Sequence, residues 1–282
     1  MQDRRSSEFT AETATGRSED QIPSIADRLH EATASGTPIE PVGHALRSGG
    51  VAMAYRVQKY NVEREVGAGR RIVGRKIGLT SKAVQEQLGV GEPDYGTLLD
   101  VMDVSAMEIV PFGSLIQPKI EAEIAVVLGR DLDSPTVSLV DAARAVDCVL
   151  PALEIVDSRI KNWQISIFDT IADNASSALF VTGTKPIDPK RIDLRLAGMV
   201  LEKNGNVASL GVGAACLGNP YRALTWLARK MAEAGEPLRA GALILTGALG
   251  PMTKLAPGDA VSAEIQGMGR VTVQLSANKE HA

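Results

Sequence analysis

The sequence predicts an α+β fold with its helices gathered at the front. Helical periodicity marks residues 21 to 70, and short aliphatic and β-branched runs mark 71 to 282. No internal repeat, GxGxxG or Walker motif points to another class. The 282 residues and 44% hydrophobic content suffice for one large core or two small ones. A net charge of −4 with no long basic run argues against nucleic acid, and 4% aromatics leave little for base stacking. Cys148 and Cys216 are far apart with no CxxC, so neither a disulfide framework nor a zinc–thiolate site is expected. A reducing cytoplasm is the expected setting. No apolar run approaches the roughly 20 residues that span a bilayer, so no membrane association is expected. The N-terminus leads into polar residues rather than an apolar signal core.

Residues 1–20 are Ser, Thr, Glu, Arg and Gln with almost nothing to bury, and read as a mobile polar tail. Residues 21–282 are expected to form a single catalytic domain. A helix starts near Ile22, with Ile25, Ala26 and Leu29 on one face, and Gly36-Thr37-Pro38 breaks it. A longer helix follows Ser48-Gly49-Gly50 and runs to about Val66, with Val51, Tyr55, Val62 and Val66 on one stripe. His30, His44 and His281 have no second ligand-type residue at helical spacing and read as surface or satisfied histidines. Ile72 to Thr80 is a short strand in which Lys76 either snorkels to water or faces a site. Ser81 to Leu88 is a helix stopped by Gly89. In the turn Glu92-Pro93-Asp94-Tyr95-Gly96, Asp94 is either turn chemistry or a carboxylate at a pocket rim.

Ile120 to Leu128 is the strand the rest depends on. Side chains alternate along a strand, so Glu121 and Glu123 point the same way, roughly 6–7 Å apart at Cα. At an effective dielectric of about 20 their repulsion is roughly 2 kcal/mol before any desolvation. A shared proton, an arginine or a hard divalent cation would offset it. The other reading is a solvated edge strand. A helix at Ser138–Val146 leads into Cys148 to Val156, where Glu154 stands alone among mostly apolar residues. It is costly there unless it joins the Glu121/Glu123 cluster or pairs with an arginine. Ser158–Trp163 and Phe168–Ser177 read as polar loops, the second able to line a pocket, before a strand at Leu179–Thr182. Asn204-Gly205 marks a hairpin, Asn219-Pro220 starts a helix that Gly235 stops, and Gly241–Gly247 is a buried strand. The last hairpin joins Val261, Ala263 and Ile265 to Val271, Val273 and Leu275.

Six stretches, in order, carry a resemblance. They are Gly74-Arg75-Lys76-Ile77-Gly78-Leu79-Thr80, Glu92-Pro93-Asp94-Tyr95-Gly96-Thr97-Leu98, Gln117-Pro118-Lys119-Ile120-Glu121-Ala122-Glu123-Ile124, Val149-Leu150-Pro151-Ala152-Leu153-Glu154, Ala172-Asp173-Asn174-Ala175-Ser176 and Leu245-Thr246-Gly247-Ala248-Leu249-Gly250-Pro251. From about residue 45 the chain resembles the 2-keto-4-pentenoate hydratase (2-hydroxypentadienoate hydratase) family of the fumarylacetoacetate hydrolase-like superfamily. The resemblance implies a mixed β-roll of the fumarylacetoacetate hydrolase C-terminal-domain type with flanking helices. It implies Mg²⁺ or Mn²⁺ on Glu121, Glu123 and Glu154, Lys76 and Asp94 around the reacting carbons, and Ser176, Thr246 and Gly247 lining the substrate site. The implied reaction, in meta-cleavage aromatic degradation, converts 2-hydroxypenta-2,4-dienoate to 4-hydroxy-2-oxopentanoate. Lys76 would serve as proton shuttle or electrostatic partner and Asp94 as general base or C5 proton relay. Thr246 and the Gly247 amide would hold the substrate carboxylate. A homo-oligomer and a complex with a pathway decarboxylase or aldolase are implied partners.

Three rivals stand beside that reading. A 2-oxo-3-hexenedioate (4-oxalocrotonate) decarboxylase would use the same carboxylates with an additional cation for its second carboxylate, from Arg159 or Lys161. A non-catalytic partner subunit would have no evident need for Lys76, Asp94 and three glutamates together. An acylpyruvate hydrolase is disfavoured by the lack of a convincing Glu-His pair.

Overall fold

The two front helices are amphipathic and pack on each other before any strand begins. In a computed structural model of the chain, residues 21–82, 85–86 and 89–277 are described. The tail expected at 1–20, His281, and part of the helix expected at Ser81–Leu88 lie outside the described residues. Helix α1 (Gln21–Ser35) buries Ile22, Ile25, Ala26, Leu29 and Ala32, the predicted face. Helix α2 (Gly50–Gly67) buries Met53, Ala54, Val57 and Gln58 instead of the expected stripe. Val51 and Val66 are exposed at 36% and 44%. The sequence stripe misleads because α2 is gripped from two sides. Its buried face meets α1 and the later helix α4 (Ile167–Ala172), and Gln58 donates to Ile171 O and Tyr95 O at 2.9 and 3.0 Å.

Beyond α2 the chain is mostly strand. β1 (Ile72–Gly78), β2 (Asp94–Leu99), β3 (Lys119–Leu128), β4 (Val146–Val156), β5 (Ser177–Thr182) and β8 (Leu243–Ala248) form one sheet in the order β2-β1-β8-β3-β4-β5, with the short β9 (Thr253–Lys254) beside β3. β1 and β8 run parallel and the other neighbours antiparallel. β6 (Gly198–Lys203), β7 (Asn206–Val212), β10 (Ala260–Ile265) and β11 (Gly269–Gln274) form a second sheet, β11-β10-β6-β7. The Asn204-Gly205 turn joins β6 to β7, both residues at positive φ as such a turn requires. Helix α3 (Leu139–Ala145) falls within the predicted Ser138–Val146 and is capped by Ser138, whose side chain accepts from Asp141 N. Helix α5 (Pro220–Glu233) is capped by Asn219, whose Oδ1 accepts from Tyr221 N at 2.9 Å.

The first sheet curls until its two edges meet. Asn174, just ahead of β5, supplies the join: its amide donates to Thr97 O at 2.9 Å and its Oδ1 accepts from Thr97 N at 2.7 Å. One side chain thus pairs with β2 as a neighbouring strand would. Val104 N adds a bond to Phe180 O at 3.0 Å. Outside the roll, Ile120, Ala122, Ile124, Val126 and Leu128 pack with the second sheet and α5 in the main core. Inside it, Leu98, Ala125, Leu150, Ala152, Phe180 and Leu245 fill the end away from the start of β3. The segment Phe168–Ser177, read as loop, holds most of α4. At its start the Ser166 amide and hydroxyl both donate to Asp169 Oδ2, at 2.9 and 2.6 Å, a serine-to-carboxylate spacing that marks a helix start.

Candidate metal centre

β3 lies between β8 and β4, so its glutamates are inside the roll rather than on a solvated edge. Glu121 is paired directly with Glu154 across the β3–β4 ladder, and Glu123 with Ala152. Paired residues share a face, so all three carboxylates enter the lumen. One oxygen from each lies within 4.8 Å of the others. Glu123 and Glu154 are fully buried and Glu121 is 9% exposed.

Lys76 (β1) and Asp94 (β2) reach the same space from the opposite wall, through the pairs Lys76↔Gly96 and Gly78↔Asp94. Lys76 Nζ donates to Ala175 O at 2.9 Å and stands 3.1 Å from Glu154 Oε1, an ion pair without hydrogen-bond alignment. Asp94 is 1% exposed; Thr170 Oγ1 donates to its Oδ2 at 3.3 Å, and its Oδ1 has no partner. Lys76 is therefore buried beside the acid cluster rather than snorkelling to water, and Asp94 opens a strand inside the roll. A Cβ on Gly78 would overlap Asp94 Oδ1, so this glycine makes room for the carboxylate.

The remaining predicted residues divide. Ser176 is buried with an unpartnered Oγ, as a substrate-facing hydroxyl would be. Thr246 and Gly247 are adjacent to the cluster, but their donors are committed. Thr246 Oγ1 donates to Ile124 O at 2.8 Å and Gly247 N to Glu123 Oε2 at 2.6 Å. These bonds tie β8 to β3 and hold Glu123 in place. Gly247 has φ of +109°, and a Cβ there would run into Thr80. Arg159 does not enter the roll. It is locked to Asp173 and to Ser177 O, and lines a cavity of about 380 Å³ under the front helices. Lys161 is half-exposed and paired with Glu40 at 3.1 Å. Neither supplies the additional cation considered for a dicarboxylate.

Sequence reasoning missed Thr170, Asn174 and the Ala175 carbonyl. Asn174, Ala175 and Ser176 are three successive left-handed residues, with φ of 53°, 52° and 54°. That turn aims the Ala175 carbonyl at Lys76. Asn174 tolerates the conformation, but no local signal marks an alanine for it.

Burial is the first reason the acids resist ionising. It pushes Glu121 up to about 7, with Glu154 adding repulsion, and raises Glu123 well above the usual range for the same reasons. Asp94 is also raised by burial, against the pull of Lys76. Burial by itself would lower the Lys76 ammonium, but Glu154, Glu121, Asp94 and Glu123 more than offset this and its pKa is raised. The oxygens Glu123 Oε1 and both of Glu154 have no hydrogen-bond donor. Three convergent carboxylates with undonated oxygens and no soft ligand in the set fit a hard divalent cation.

Between the ordinary 4.5 and about 7 the folded protein holds a proton on Glu121 that the unfolded chain has lost. Metal-free stability therefore falls as pH rises through that window and does not recover above it. A cation must displace such protons, so magnesium affinity is expected to rise roughly tenfold per pH unit for each proton displaced, up to about pH 7. Calorimetry in two buffers of different ionisation enthalpy reads the released protons. A pH-independent affinity with no proton release would mean that the acids are ionised before the cation arrives.

The chain is similar to known proteins in sequence and in fold. The family model described as fumarylacetoacetate (FAA) hydrolase C-terminal matches residues 100–276. A 2-keto-4-pentenoate hydratase of Paraburkholderia xenovorans is 51% identical over 254 residues, covering 90% of this chain and 94% of that protein. The TodF product hydratase of Pseudomonas putida is 53% identical over 247 residues, 88% and 92% of the two chains. Among solved structures, a 4-oxalocrotonate decarboxylase from Pseudomonas putida, complexed with magnesium and adipate, superposes with a TM-score of 0.87 at 40% identity, covering 91% of this chain and 98% of its own.

Proposed function

The chain belongs to the 2-keto-4-pentenoate hydratases of the fumarylacetoacetate hydrolase family, and from that premise we propose that it hydrates 2-hydroxypenta-2,4-dienoate to 4-hydroxy-2-oxopentanoate. The observation that carries the reading is the buried Glu121–Glu123–Glu154 cluster facing Lys76 and Asp94 across one lumen. The three glutamates would hold Mg²⁺ or Mn²⁺. When bound, such an ion supplies Lewis acidity and a template for a 2-oxo acid, worth several kcal/mol.

The chain's own groups account for the proton traffic. In the first half-reaction the 2-hydroxyl loses a proton and C5 gains one, giving the 2-oxo-3-enoate. In the second, water oxygen bonds to C4 and C3 gains a proton. Asp94 suits both halves. Its buried, unpartnered Oδ1 can deliver a proton to C5 and, once ionised, take one from the attacking water. Lys76, held charged by its carboxylate neighbours, stabilises negative charge spread over the enolate. Ser176 Oγ is free to orient the substrate or the water. Gly247 N keeps Glu123 aimed.

Asp94→Asn keeps the shape and is expected to lower turnover about 10²–10⁴-fold. NMR in deuterated buffer should show deuterium entering C5 slowed to the same degree, with metal content unchanged. Normal C5 exchange in this variant would remove Asp94 from that step.

The decarboxylase reading shares the fold and the acid cluster. Hydration is favoured by the identities, 51% and 53% to hydratases against 40% to the decarboxylase, and by the engagement of Arg159 and Lys161 elsewhere. Ultraviolet assay of both substrates with magnesium tests this. Faster release of carbon dioxide from 2-oxo-3-hexenedioate than hydration of the dienoate would reverse the choice. Assembly into a homo-oligomer, a complex with a pathway decarboxylase or aldolase, and a cytoplasmic setting belong to the same reading. Light scattering of the purified protein checks the first. Among the described residues no helix is long and apolar enough to cross a membrane.

A further inference from the structure

Two lysines face each other at the rim of the roll. Lys119 (β3) is paired directly with Lys254 (β9) across an antiparallel ladder. Like charges so placed repel. No carboxylate among the described residues lies within ion-pair distance of either. The neighbouring Lys203 donates to Lys254 O at 3.2 Å but is itself paired with Asp259 at 3.3 Å. Lys119 is instead held on an aromatic ring, its Nζ 3.9 Å from the centroid of Trp163. That ring is deliberately placed. Asn162 and Trp163 both have φ of 56°, an unfavourable conformation for a bulky residue, and Trp163 Nε1 donates to Gln117 O at 2.9 Å.

The pair stands on the way to the acid cluster. Lys119, Glu121 and Glu123 share one face of β3, with Lys119 two residues nearer the rim, roughly 6–7 Å from Glu121 along the strand. The opposite end of the lumen is filled by Leu98, Ala125, Phe180 and Leu245. Of the three glutamates, only Glu121, next to Lys119, touches solvent, at 9% against 0% for the other two. Glu121 is thus the member of the cluster that meets solvent, and Lys119 is its neighbour on that face of β3.

We propose that Lys119 and Lys254 form an anion-capture site at this mouth, which draws the carboxylate of a small 2-oxo or 2-hydroxydienoic acid toward the acid cluster. The inference rests on the reading of that cluster as the site for such an acid. An unscreened acid cluster repels a carboxylate, and a pair of cations at the entrance raises the local concentration of anions and the rate of encounter. Their positive charge acts before the chemistry, as positioning rather than catalysis.

The test uses the full-length, magnesium-loaded protein and pyruvate as a non-reacting probe, with association followed by stopped-flow tryptophan fluorescence. In the unsubstituted protein the association rate should fall several-fold between about 20 mM and 500 mM salt. Lys119→Gln with Lys254→Gln should lower the low-salt rate about tenfold and flatten the salt dependence. Lys119→Arg should restore most of it. With the dienoate, the loss should be larger in kcat/KM than in kcat. Unaltered association and salt slope in the double variant, with an unaltered melting temperature, overturns the proposal. Capture of pyruvate requires no turnover. Normal salt-dependent capture without hydratase activity would therefore fault the reaction and leave the capture site standing. Hydratase activity with salt-independent capture would fault only the capture site.

Discussion

Glu123→Gln is expected to abolish magnesium binding and to lower hydratase turnover on the order of 10³-fold, the size of the several kcal/mol that a Lewis acid contributes. Glu123 is fully buried and takes the Gly247 amide on one oxygen, leaving the other without a donor. Glutamine keeps the first bond and removes the charge. The same substitution is expected to raise the melting temperature of the metal-free protein. It takes one repelling acid out of a lumen where Lys76 pairs with Glu154 alone. Metal analysis and thermal melts with and without magnesium read both effects. A variant with full metal and full activity would end the ligand assignment.

Lys76→Met should lower turnover by about 10²–10⁴-fold while the protein keeps its metal. The ammonium is 3% exposed and competes with any cation for Glu154, so magnesium should bind as tightly or more tightly without it. The metal-free form should lose up to about 3 kcal/mol, because a buried carboxylate is left without its cation. The two substitutions therefore move metal-free stability in opposite directions while both remove activity. Loss of metal in Lys76→Met would instead assign the lysine to building the site.

The chemistry was legible in the chain because it depends on short-range facts. Alternation along β3 puts Glu121 and Glu123 on one face whatever the strand's neighbours are. The cost of a lone glutamate in Val149–Val156 marks Glu154 for a polar partner before that partner is known. The Asn204-Gly205 turn and the Ser138 and Asn219 caps are set by residues in direct succession. The buried face of α2 was not legible, since Met53, Ala54 and Val57 are chosen by helices on both sides of it. Nor was the fate of Arg159, which depends on Asp173 lying outside the roll.

Residue order alone therefore settles the two front helices, the strands around Lys76 and Glu121, and the acids that share a face, but not β2, whose first residues read as a turn. Register and curl decide the rest. They set Glu154 opposite Glu121, bring Lys76 and Asp94 across from them, and let Asn174 close the two sheet edges. Period-two alternation is a property of a single strand, whereas a lumen exists only after distant strands have paired.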